Sequence, residues 1–138
     1  MSNDLSLLSR QVFELIDQMQ AGTVPWSRFD EFITPGFRAY VPGAVLDVEG
    51  FKKQMQAFGA AFSHGKHTVH DVVSDNNVAM IRETWQGVHT GTFLDAPATG
   101  KAVSSLVMVL LRFHDWKITE FHETFDTLAL MRDTGVIA

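Results

Sequence analysis

An α+β domain, with three N-terminal helices packed on one face of a curved antiparallel sheet, is the architecture this sequence predicts. Two observations carry it. As far as Phe62 the apolar residues recur at helical spacing, and beyond Gly65 the period changes to alternation. At 138 residues the chain is long enough for one hydrophobic core and too short for two ordinary domains, so residues 1–138 are read as a single domain.

The first helix is marked by Leu5, Leu8, Val12, Leu15, Ile16 and Met19, with Asn3 or Asp4 able to cap its start and Gly22 to end it. A second, short helix has Pro25 in its first turn, Trp26, Phe29, Phe32 and Ile33 on one side, and Pro35-Gly36 as its stop. Phe37 to Val41 reads as a short strand broken by Pro42-Gly43. Asp47 can cap a third helix in which Phe51, Met55, Phe58 and Phe62 form one stripe, ending near Gly65. Four strands follow, His67 to Ser74, Asn77 to Thr90, Lys101 to Phe113 and Lys117 to Asp126. Their connections are Asp75-Asn76, the segment from Gly91 to Gly100, and His114-Asp115-Trp116.

The third of these strands is apolar on both faces, with Val103, Val107, Val109, Leu111 and Phe113 on one side and Ala102, Leu106, Met108 and Leu110 on the other. A strand with one wet face alternates more cleanly. The sequence therefore predicts a homodimer through the sheet, with a C-terminal tail folded over the outer face as the alternative cover.

Composition removes several functions. A net charge of −5 without a basic cluster argues against nucleic acid. Cysteine is absent, which excludes disulfides, thiolate metal sites and a cysteine nucleophile. There is no basic n-region followed by an apolar run, and the stretch from Leu106 to Leu111 is too short to cross a bilayer, so a cytoplasmic protein without membrane contact is expected. His64, His67 and His70 straddle a helix end and a strand start with no carboxylate at ligand spacing, so no metal is expected. No GxSxG, P-loop or GxGxxG occurs, and no cofactor is expected. Eleven Phe against one Tyr favour thick packing or an apolar cavity.

The residues that could carry chemistry cluster in the last strand. Strict alternation puts Ile118, Glu120, His122, Thr124 and Asp126 on one face and Thr119, Phe121, Glu123 and Phe125 on the other. If the even-numbered face looks into an aromatic cavity, burial raises the carboxyl pKa and a neighbouring imidazole can pair with it, which suits proton abstraction next to a carbonyl. The alternative is that this side faces water while Phe121 and Phe125 enter the core. Arg82 and Arg112 lie on flanking strands, where each can make a structural salt bridge or hold a substrate oxygen.

The segment Gly87-Val88-His89-Thr90-Gly91-Thr92-Phe93, the turn Pro97-Ala98-Thr99-Gly100-Lys101, Arg112-Phe113, Lys117-Ile118-x-Glu120, and Phe125-Asp126-x-Leu128 followed by Gly135 resemble the SnoaL-like polyketide cyclase family. The Trp26 to Phe37 segment is similar to the family's second helix, so the likeness spans most of the chain. The resemblance implies a cone-shaped α+β barrel in which three N-terminal helices close a strongly curved antiparallel sheet around an apolar cavity. It also implies a cofactor-free intramolecular aldol closure with an acidic general base, which falls on Asp126, with His122 as its helper. An alignment shifted by a few residues puts Glu123 in that place instead. Arg82, Trp85, Phe29, Tyr40, Phe58 and Glu120 are expected to contact the substrate, a small apolar carbonyl compound. A non-catalytic module that binds a small ligand or dimerises is the competing function.

Overall fold

The computed structural model describes residues 4–138. Helix α1 spans Leu5–Gln20 and buries Leu8, Val12, Phe13, Ile16 and Met19. Asp4 caps it, with Oδ1 accepting from the N–H of Ser6 at 2.9 Å and of Leu7 at 3.4 Å. Asn3, the other expected cap, lies outside the described residues.

The second helix is a 3-10 helix, Trp26–Phe32, preceded by Pro25. It ends earlier than Pro35-Gly36, because strand β1 runs over Ile33–Val41 and carries both residues within it. That is possible where the ladder is interrupted, and the register of β1 against its neighbour does shift between Ile33 and Arg38. Strand β2, Ala44–Leu46, folds back on β1 through Pro42-Gly43. Helix α2, Val48–Ala61, is capped by Asp47, whose Oδ1 accepts from Gly50 N–H at 2.8 Å. It stops before Gly65, since Phe62 already begins strand β3, Phe62–Asp75.

Strands β4 (Val78–His89), β5 (Ala102–His114) and β6 (Lys117–Phe125) complete a six-stranded sheet in the order β2-β1-β6-β5-β4-β3. The sheet is curved but not closed, and it is mixed: every pair is antiparallel except β1 with β6, which is parallel. Two-residue turns at Asn76-Asn77 and Asp115-Trp116, all with positive φ, join the β3–β4 and β5–β6 hairpins. Register shifts within β3 and between β5 and β6 add bend to the long strands.

A further helix, α3 (Thr127–Asp133), follows β6 without a break and was not among the expected elements. Asp126 caps it through Oδ1, which accepts from Ala129 N–H at 2.9 Å. The helix packs inward, burying Leu130, so the tail does not cover the outer sheet face. On that face Leu106, Met108 and Met80 stay exposed, at 51%, 38% and 44% of their surface. Among the described residues no helix is long and apolar enough to cross a membrane.

Candidate functional site

The inner face of the sheet and the helices that cover it enclose a cavity of about 400 Å³. Alternation supplies one wall. Odd-numbered residues of β4 and β5 point inward, so Ile81, Trp85, Val107, Val109 and Leu111 are buried. Helix α1 brings Phe13 and Ile16, α2 brings Phe51, Met55 and Phe58, and α3 brings Leu130 and Met131. The β4–β5 connection adds Phe93. It is held down at Gly91, where a Cβ would lie 2.1 Å from the carbonyl oxygen of Ala60, and by His89, whose Nδ1 is 3.0 Å from Thr99 Oγ1. Gly87 gives the Trp85 indole its space, since a Cβ there would meet the ring at 2.8 Å.

Strand β6 faces the cavity with Phe121, Glu123 and Phe125, not with the even-numbered residues. The expected orientation fails at one point. Ile118 is buried opposite Phe113, but the register slips before Glu120 pairs with Arg112, and the next buried residue is Phe121 opposite Leu111. Two residues between successive buried positions reverse the parity of everything that follows.

The even-numbered groups therefore lie on the outer surface. His122 Nε2 is 2.8 Å from Glu120 Oε1, its ring stacks on Tyr40 at 4.3 Å, and Glu120 Oε2 is 3.5 Å from Arg112 Nε. The hydrogen bond from His122, more than the pull of Arg112, holds the Glu120 carboxyl below its ordinary pKa. Asp126 is exposed and occupied as the α3 cap. Arg82 is also outside, paired with Asp71 at 2.7 Å. Phe29 is completely buried against Phe37 and Phe51, away from the cavity wall. Of the expected contact residues, Trp85 and Phe58 line the cavity, their rings 4.8 Å apart.

The structure assembles a different set of ionisable groups inside. Asp17, from α1, accepts the backbone N–H of His67 through Oδ2 at 2.9 Å and lies 2.6 Å from the ring Nδ1 through Oδ1. That pair of contacts fixes the imidazole, which is part of the cavity lining. Glu83, on β4, is fully buried and neither carboxyl oxygen has a hydrogen-bond partner among the described residues. Burial pushes its pKa up to about 8, with the fields of Glu123 and Asp17 adding to the rise and His67 opposing it. Burial also raises Glu123, against the pull of His67. Burial disfavours charge on His67, yet the hydrogen bond to Asp17 and the fields of Glu83, Asp17 and Glu123 outweigh it, so its pKa lies above 6.5.

Sequence reasoning overlooked Asp17, His67 and Glu83 as a site, although signals were present. Glu83 interrupts the alternating apolar row Ala79, Ile81, Trp85, and Asp17 stands four residues after Phe13 on the helix face that turns inward.

The description of SnoaL-like polyketide cyclases matches residues 14–134. A protein assigned to the SnoaL-like polyketide cyclases of Jannaschia sp. CCS1 superposes with a TM-score of 0.82 at 20% identity, over 96% of this chain and 94% of that one. TsrD from Streptomyces laurentii gives 0.78 at 20% identity, covering 99% of each chain. A SnoaL-like polyketide cyclase from Agrobacterium tumefaciens C58 gives 0.76 at 17% identity, over 96% and 98%. No curated protein matches the sequence. The family match covers most of the chain, and the curved sheet under its helices is the fold these structures share: the chain belongs to the SnoaL-like polyketide cyclase family.

Proposed function

We propose that the protein is a cofactor-independent enzyme that cyclises or isomerises a small apolar carbonyl compound in the cavity, with Glu123 as general base and His67 as proton donor. The observation that carries this reading is Glu123 itself. It is a carboxyl on the wall of an apolar cavity, its pKa raised by burial, in the field of an imidazole that Asp17 holds in place. In its ionised form Glu123 removes a proton from the carbon next to a carbonyl, and the C–H electron pair moves through the new C=C bond onto the carbonyl oxygen. His67 Nε2–H donates to that oxygen, and the raised pKa of the ring favours the protonated donor. In a cyclisation the enolate carbon bonds to a second carbonyl carbon of the same molecule. The new alkoxide then takes the proton held by Glu123, which restores the base.

The test is α-proton exchange. Small ketones and 1,3-diketones incubated with the protein in D2O should lose their α-C–H signal in the NMR spectrum faster than in buffer. A binding module without chemistry would shift the ligand signals and leave the exchange rate at the buffer value.

The same reading includes self-association. Across the outer face Tyr40, His122, Leu110 and Met80 stand in one row of paired residues, with Leu106 and Met108 beside it. We propose that two copies cover these exposed apolar side chains. Sedimentation should give a dimer for the wild type and a monomer for Leu106→Glu, and a wild-type monomer would remove the proposal.

A further inference from the structure

This inference rests on the reading of the cavity as the site of a carbonyl substrate, which leaves open what else that substrate carries, and the charges around the cavity narrow it. No lysine or arginine is among the residues that line it, and its neutral polar groups are Gln20, Gln54, Thr92, Ser105 and Thr127. The ionisable groups facing one another are Asp17 from α1, His67 from β3, Glu83 from β4 and Glu123 from β6. The walls supplied by α2, β5 and α3 add no charged side chain to the cavity lining. Three carboxyls thus stand around one imidazole, and that imidazole is already engaged with Asp17 at 2.6 Å. An anionic ligand would enter a field in which carboxyls outnumber the one imidazole, and that imidazole is already paired with Asp17.

The aromatic surroundings have the complementary character. Phe121 and Phe125 flank Glu123 two positions away on the same inward face. Phe13 and Phe51 pack on Phe121 with ring centroids 5.9 and 4.9 Å away. A carboxyl set among phenyl rings is suited to an ammonium group, which gains an ion pair and the negative faces of the rings together.

We propose that the carbonyl compound taken by this cavity also carries a protonated or quaternary amine, seated against Glu123 among Phe121, Phe125, Phe13 and Phe51, with the apolar remainder of the molecule toward Trp85 and Phe58. Without a ligand, excess carboxyl charge is relieved by protons, as the raised Glu83 and Glu123 indicate. A bound cation takes over that role at Glu123, favouring its ionised form and displacing the proton wherever the carboxyl still holds one. Affinity for the cation therefore rises with pH as Glu123 ionises, and binding releases a proton into the buffer.

The experiment compares three small probes, benzyltrimethylammonium, its neutral isostere neopentylbenzene, and phenylacetate, by NMR of the Trp85 indole in the full chain. Calorimetry of the cation in buffers of different ionisation enthalpy counts the protons. The expected result is a preference for the cation over the neutral probe of about tenfold or more, equivalent to about 1.4 kcal/mol. Phenylacetate should be the weakest of the three, and cation binding should be accompanied by proton release. Glu123→Gln should bring cation and neutral probe to within about threefold of each other, while Glu123→Asp and the outer-face control Asp71→Asn keep the preference. Equal or tighter binding of the neutral probe or of phenylacetate to the wild type would overturn the proposal, as would a cation preference that survives Glu123→Gln, or no binding of any probe at millimolar concentration. Exchange of neutral ketones by the same preparation would leave the catalytic reading standing in each of those cases.

Discussion

The two sides of the sheet at β6 present the same kinds of side chain, the inner ones drawn also from α1, β3 and β4, and treat them in opposite ways. Outside, His122 and Glu120 meet at 2.8 Å, half-exposed, and the carboxyl pKa falls. Inside, Asp17 and His67 meet at 2.6 Å, and the two carboxyls in their field, Glu83 and Glu123, rise. The difference lies in desolvation. On the outer face water screens the charges and a hydrogen bond sets the sign of the shift, whereas in the cavity wall burial is the largest contribution and favours the neutral acid. Residue type thus nominates candidates for acid-base work, and the side of the strand decides between them.

The largest test of that comparison is catalytic. Glu123→Gln should lower the α-proton exchange rate by about a hundredfold or more while the fold is retained, since it removes the base and little volume. Glu120→Gln and His122→Gln should leave exchange within about twofold, because both groups lie on the far side of the sheet from the cavity. Equal losses from the inner and outer substitutions would erase the distinction.

Stability against pH gives the next largest effect and differs in sign between the two faces. Folded Glu83 keeps its proton up to about 8, whereas the unfolded carboxyl releases it near 4.5, so stability falls as pH rises between those values. Glu123 acts in the same direction. His67 does too, because the contribution of a raised imidazole is full below 6.5 and is lost as pH passes its folded value. Urea unfolding should show a decrease on the order of 4 kcal/mol or more from pH 5 to pH 9. Glu83→Gln should flatten that decrease and exceed the wild type in stability at pH 9. Glu120 has the reverse sign, its contribution being present above 4.5 and lost as pH falls, and its exposure keeps it small. A wild-type stability that is flat or rises toward pH 9 would contradict the buried cluster.

The contrast also explains what the sequence could disclose. Helical and alternating periods marked α1, α2 and four of the strands, because each buries one regular face and the pattern is local. The orientation of β6 was not legible in the same way. Ile118 and the even-numbered acids share a parity, and only the slip between Ile118 and Glu120, a property of pairing with β5, turns Phe121, Glu123 and Phe125 inward. The parallel pairing of β1 with β6 is likewise a tertiary property that no local pattern encodes. The inner cluster joins α1, β3, β4 and β6 across more than a hundred positions from Asp17 to Glu123, and no spacing rule connects them. Helix α3 is a different case. The run from Asp126 through Ala129 to Arg132 and Gly135 contains a cap, a basic last turn and a terminating glycine, a legible signal, although the expected last strand ends at Asp126 and no element was expected beyond it.

The smallest effect separates the two roles open to Asp126. As the cap of α3 it accepts from Ala129 N–H at 2.9 Å, and its own N–H donates to Ser105 Oγ at 3.2 Å. Asp126→Ala should therefore cost about 1 kcal/mol in urea unfolding, the usual value of a lost N-cap. Asparagine caps a helix as well as aspartate does but cannot act as a base, so Asp126→Asn should restore most of that stability and keep exchange close to the wild-type rate. A folded, stable Asp126→Asn protein that loses exchange by about a hundredfold would move the chemistry to the end of β6 and reduce Glu123 to a wall residue. Retained exchange in that variant, together with its loss in Glu123→Gln, would tie proton transfer to the inward face of the strand.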